Sequence, residues 1–141
     1  MKAALYHVQV NVSRAAESFP FYRALFQYLE FRRMHEDAVS LGFSDGTTDL
    51  WLIAAEARHA GFGFHRKRTG LNHLAFRVDS PAAVERFARE FLAPRGIATL
   101  YDTPRDFPEY AAGYHAVFLE DPDRLKLEVA HVPNRLETPH G

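Results

Sequence analysis

The chain carries the same pattern twice, and this internal repeat constrains its fold more than any other feature. Tyr6-His7-Val8-Gln9-Val10-Asn11-Val12 alternates apolar and polar residues, the period-two signature of a half-buried strand. Ser13 then precedes a helical stretch with Ala15, Phe19, Tyr22, Phe26 and Leu29 on one face. Pro20 either starts that helix or kinks its first turns. Three short strands are expected next: Phe31 to His35, Val39 to Phe43, and Asp49 to Ala54. From Leu71 the order recurs. Asn72-His73-Leu74-Ala75-Phe76-Arg77-Val78 alternates, and Ser80 and Pro81 look like an N-cap and first helical residue. Val84, Phe87, Ala88 and Phe91 form an apolar stripe that Pro94-Arg95-Gly96 ends. Strands are expected from Ile97 to Tyr101, Tyr114 to Leu119 and Leu125 to Ala130, with a long loop from Tyr101 to Tyr110.

The repeat predicts an α+β fold, β-α-β-β-β twice. Residues 3–56 form module one, 57–70 a connecting loop and 71–133 module two of one domain (1–133), followed by a polar, flexible tail over 134–141. A length of 141 residues with 47% apolar and 13% aromatic content suits one core. A net charge of −1 gives no field favouring nucleic acid or an anionic membrane, and no apolar run approaches the roughly 20 residues of a membrane span. A cytoplasmic location is the expectation. With no cysteine and eight histidines, imidazole and carboxylate are the strong metal ligands available.

Strand parity turns the repeat into a site. Val8, Val10 and Val12 belong under the first helix, so His7, Gln9 and Asn11 point to the other face. Leu74, Phe76 and Val78 belong under the second, which leaves His73, Ala75 and Arg77 opposite. On the last strand Leu125, Leu127 and Val129 read as packed, and Lys126, Glu128 and Ala130 as the free face. His7, His73 and Glu128 are therefore the candidate ligands of one divalent metal ion, a facial triad with open positions. Residue type does not distinguish Fe, Ni, Zn or Mn. At the position equivalent to Glu128, module one has Trp51.

These residues resemble the vicinal oxygen chelate superfamily of glyoxalases, bleomycin-resistance proteins and extradiol dioxygenases. The likeness spans about residues 3–132. It rests on His7 in YHVQVNV, on Phe21-Tyr22-Arg23, on His73 in GLNHLAFRVD, and on DPDRLKLEV ending at Glu128. The resemblance implies paired βαβββ modules in a cupped, mostly antiparallel eight-stranded sheet with helices outside. It also implies a metal that chelates adjacent substrate oxygens, and a homodimer whose cups draw their modules from one chain or from two. Glyoxalase I-like members usually carry a fourth ligand where Trp51 stands, so the three-ligand set leans toward dioxygenase chemistry. Extradiol enzymes usually have a tyrosine acid/base where Phe118 stands; Tyr114 and His115 are the candidate substitutes. Arg124 replaces the glycine of the usual DPDG turn, which requires a turn that avoids a left-handed backbone.

Two function classes follow. One is a metal-dependent dioxygenase, lyase or isomerase on a small oxygen-rich substrate, with Tyr114, His115, Tyr110 and Arg77 as candidate catalytic or substrate-contacting groups. The other is a metal-free protein binding a drug or metabolite in a cleft lined by Trp51, Phe118 and Tyr114. The basic run His65-Arg66-Lys67-Arg68 reads as a solvated loop or as a grip on an anionic substrate.

Overall fold

A computed structural model describes residues 1–133; the 134–141 tail lies outside the described residues. The chain divides into two compact units, Met1–Phe64 and a second that begins at His65, so the division falls inside the expected connecting loop. Each unit is a βαβββ module. The first contains β1 (His7–Val12), α1 (Ala15–Tyr28), β2 (Arg32–Glu36), β3 (Ser40–Ser44) and β4 (Asp49–Ala54). The second contains β5 (His73–Val78), α2 (Pro81–Phe87), β6 (Thr99–Asp106), β7 (His115–Glu120) and β8 (Lys126–His131). The α+β class and the doubled strand order match the expectation from sequence.

Each module forms a four-stranded sheet of the same topology, β1-β4-β3-β2 and β5-β8-β7-β6. The last strand runs parallel to the first and sits between it and the third, to which it pairs antiparallel. That insertion places the two strands with the strongest alternation side by side.

Apolar residues explain the helix-covered faces. In the first module Tyr22, Leu25 and Phe26 are buried beside Leu41, Phe43, Leu50 and Leu52, with the Phe26 and Phe43 rings 4.9 Å apart. Helix α1 starts at Ala15 and continues through Pro20, which is exposed. The proline's missing donor thus falls on the solvent side and leaves the packed stripe intact. In the second module Ser80 caps α2 by accepting from the Ala83 amide (3.1 Å), with Pro81 in the first turn. The helical path continues as a π turn over Ala88–Leu92 and a tight turn over Ala93–Arg95, and ends at Gly96 in the left-handed region (φ 64°). Val84, Phe87, Phe91 and Leu92 are buried along it, and α2 packs on β7 and β8.

Two local features differ from expectation. The long loop expected from Tyr101 is largely strand, because β6 extends to Asp106 across a register shift between Leu100 and Arg105. Buried Thr103 makes the bulge tolerable: its hydroxyl donates to the Leu100 carbonyl (2.6 Å) and accepts from the Phe118 amide (3.0 Å). That replaces ladder bonds the extra residues remove, and Pro104 is accommodated because β6 is an edge strand. The second difference is Arg124, whose φ of 66° is left-handed although it is not glycine. Asp121 holds this turn by accepting from the Asp123 and Leu125 amides, both at 2.8 Å. No helix among the described residues is long and apolar enough to cross a membrane.

Candidate active site

The face of the second sheet away from α2 holds the candidate site residues of this module. In the parallel pair His73 lies beside Lys126 and Ala75 beside Glu128; in the antiparallel pair Glu128 lies opposite Phe118. Directly opposed residues of an antiparallel pair share a face, so Phe118, Ala116 and Tyr114 belong with Glu128. His115 belongs to the other face. Which of Tyr114 and His115 shares the face of Glu128, open from sequence, follows from this register: the Tyr114 hydroxyl donates a short hydrogen bond to Glu128 Oε1. His115 instead bridges Asp106 (Nδ1, 2.7 Å) and Glu85 of α2 (Nε2, 2.8 Å).

Glu128 is a carboxylate in an apolar setting, only 2% exposed. Burial, and then the bond to Glu128, push the Tyr114 phenol well above its usual range, so it stays protonated at neutral pH. The second carboxylate oxygen, Oε2, lies 3.0 Å from His73 Nε2. Asn72 donates its amide to the Arg66 carbonyl (3.1 Å), and its Oδ1 lies 2.8 Å from His73 Nδ1, so the other ring nitrogen, Nε2, is the one that faces the carboxylate.

An imidazole and a carboxylate so placed fit two positions of a metal site. An imidazole held through its outer nitrogen and a carboxylate hydrogen-bonded through its other oxygen are the usual supports of ligating groups. A separation of 3.0 Å also suits two adjacent ligands each about 2.1 Å from one ion. Among the described residues, no group of three His, Cys, Asp or Glu side chains is gathered for a metal. His7, the third residue of the sequence-derived triad, is exposed at the start of β1 in the first unit.

A pocket of about 480 Å³ opens beside the Glu128–His73 pair. Tyr114, Tyr110 and Phe118, candidates from sequence, line it, together with Tyr101, Arg105, Phe107 and Lys126. Phe107, Ala116, Phe118 and Ala130 form a small apolar cluster under it, apart from the helix-side core. Arg77 is exposed and does not line this pocket. Trp51 sits in the first unit, where its register partner is Gly42 and the His35 ring is 5.9 Å away. Lys126 was readable in principle, two residues before Glu128 on the same face. Tyr101 and Arg105 were not, because the β6 bulge turns them.

A family model covering residues 4–129 matches the chain: the glyoxalase/bleomycin resistance protein/dioxygenase superfamily. The chain belongs to this superfamily. It is 31% identical over 127 residues to the uncharacterised protein YqjT of Bacillus subtilis (strain 168), covering 89% of this chain and 96% of that one. Among solved structures it resembles a protein of Bacillus halodurans provisionally assigned as a glyoxalase, with 36% identity, a TM-score of 0.81, and 91% and 95% of the two chains covered. Lactoylglutathione lyase from Agrobacterium tumefaciens shares the fold, at a TM-score of 0.65 and 18% identity over 92% and 94% of the chains. As a superfamily member the protein shows the replacement noted from sequence. Gln9 pairs with Trp51 in β1–β4 as Ala75 pairs with Glu128 in β5–β8, so Trp51 occupies the Glu128 position of module one.

Proposed function

We propose that this protein is a metal-dependent enzyme acting on a small oxygen-rich organic substrate, leaning toward dioxygenase chemistry. His73 and Glu128 would hold a divalent ion, and the third donor is assigned, on the sequence repeat alone, to His7. The observation that carries the reading is the buried Glu128 carboxylate, which Tyr114 engages through one oxygen while the other lies 3.0 Å from His73 Nε2. When bound, the ion would act as a Lewis acid on adjacent substrate oxygens. The protein's own groups have separable tasks. Asn72 orients His73, and the Tyr114 phenol keeps one Glu128 oxygen occupied so that the other is the donor. The aromatic walls would give a bound substrate ring flat surfaces to pack on. The absence of a carboxylate at position 51 supports a three-donor set over a four-donor one.

Metal analysis after anaerobic reconstitution with Fe²⁺, Ni²⁺, Zn²⁺ and Mn²⁺ tests the proposal. About one equivalent per chain is expected, falling below about a tenth in Glu128→Gln and in His73→Ala. Uptake below about a tenth by the unaltered protein with all four ions would overturn it in favour of a metal-free binder. Catechols, hydroxyphenylpyruvate-like acids and thiohemiacetals, screened on the loaded protein, would then separate oxygenase from isomerase and lyase chemistry.

A further inference from the structure

The pocket contains a cation whose natural partner is already taken. Lys126 is half-buried, with Nζ 5.5 Å from the Tyr101 ring centroid and 5.4 Å from that of Phe118. Its register neighbour on β7 is Glu120. That carboxylate is occupied by Arg66 Nη1 at 2.7 Å and Arg124 Nε at 3.2 Å. Among the described residues no acidic side chain forms an ion pair with Lys126. The other cation of the pocket is committed locally: Arg105 donates to the Tyr101 and Asp106 carbonyls, lies 3.7 Å from Glu109, and stacks 3.8 Å over the Phe107 ring. A half-buried ammonium held only by ring faces retains most of its capacity to attract an anion.

The walls around it are planar. Tyr101 and Phe118 meet edge to face, with centroids 5.4 Å apart. Phe107 and Tyr110 stack at 5.1 Å and 4°. A volume of about 480 Å³ lies at the lower end of small-molecule sites and suits one ring with its substituents.

We propose that the substrate of this pocket carries one aromatic ring and one carboxylate, and that Lys126 selects the carboxylate. The inference takes from the proposed function only that this pocket is the substrate site, and its test needs no metal. Isothermal titration calorimetry of the metal-free protein with benzoate, benzamide and cyclohexanecarboxylate reads charge and ring separately. Benzoate is expected to bind about tenfold more tightly than benzamide, the worth of one charge-assisted hydrogen bond. It should also exceed cyclohexanecarboxylate by several-fold. Lys126→Gln should erase the preference for benzoate over benzamide while leaving benzamide affinity and metal uptake unchanged, and Lys126→Arg should keep the preference. Equal affinity for benzoate and benzamide, no binding of either, or a preference that survives Lys126→Gln would overturn the assignment. Metal uptake without the preference breaks this inference and leaves the enzyme reading; the preference without metal uptake does the reverse.

Discussion

The two modules share strand order and register and differ most instructively at one cross-strand pair. In module two Glu128 lies opposite Phe118; in module one Trp51 lies opposite Gly42. The Gly42–Trp51 pair is a filled surface. A Cβ built on Gly42 would come within 2.7 Å of the indole, so glycine is what lets the ring lie down on the sheet. The Phe118–Glu128 pair instead stands at the edge of a pocket, with the carboxylate held by Tyr114 and faced by His73. One topology thus supports an apolar patch in one copy and a buried, hydrogen-bonded carboxylate beside a pocket in the other. The sheet supplies positions, and two residues decide what the positions do.

Substitutions at these pairs test that contrast. Phe118→Ala should have the largest effect, a loss of about 3–4 kcal/mol in chemical denaturation, because a 3%-exposed ring touching Tyr101 and Phe107 is replaced by a void. Gly42→Ala should cost about 2 kcal/mol through overpacking, since the indole must move. A neutral outcome there would mean that Trp51 is not held by the sheet and that the contrast is overstated. Tyr114→Phe should cost about 1–2 kcal/mol in the metal-free protein by leaving a buried Glu128 oxygen without its donor.

A pH-dependent difference should follow on the opposite face of module two. Burial alone would lower the pKa of His115, but its bonds to Asp106 and Glu85 outweigh that and hold it above its usual 6.5. A raised folded-state value means the stabilisation is complete below about pH 6.5 and is lost as pH rises through the folded value. The stability gap between the unaltered protein and His115→Gln should therefore narrow on going from pH 6 to pH 9, and a constant gap would rule this out. The smallest effect expected is a gain. Arg124→Gly should stabilise by about 0.5–1 kcal/mol by relieving a left-handed φ, offset in part by loss of the bond to Glu120.

Much of this could be read from residue order. Alternation in β1, β5 and β8 identified which side chains leave the helix-covered face, and Ser80-Pro81 marked a helix start, since both depend on neighbours in sequence. That Tyr114 and not His115 faces Glu128 was out of reach because it depends on the register of β7 against β8. The intervening turn fixes that register through the buried Asp121 carboxylate. The bulge in β6 was hidden for a similar reason. Tyr101 and Asp102 adopt positive φ without being glycine, and Thr103 mends the ladder with a hydroxyl that no local pattern announces. Lys126 was visible on the right face, but its significance rests on Glu120 being engaged by Arg66, 54 residues away in sequence.

The position of β8 between β5 and β7 has a consequence for how the protein comes into being. The strand that brings Glu128 to His73 is the final one in its module, so no shorter nascent chain holds both donors at 3.0 Å. During synthesis the imidazole emerges 55 residues before its carboxylate. The pair is thereby deferred until the sheet is complete, and a truncation before Lys126 would remove an inner strand of the sheet and the carboxylate together.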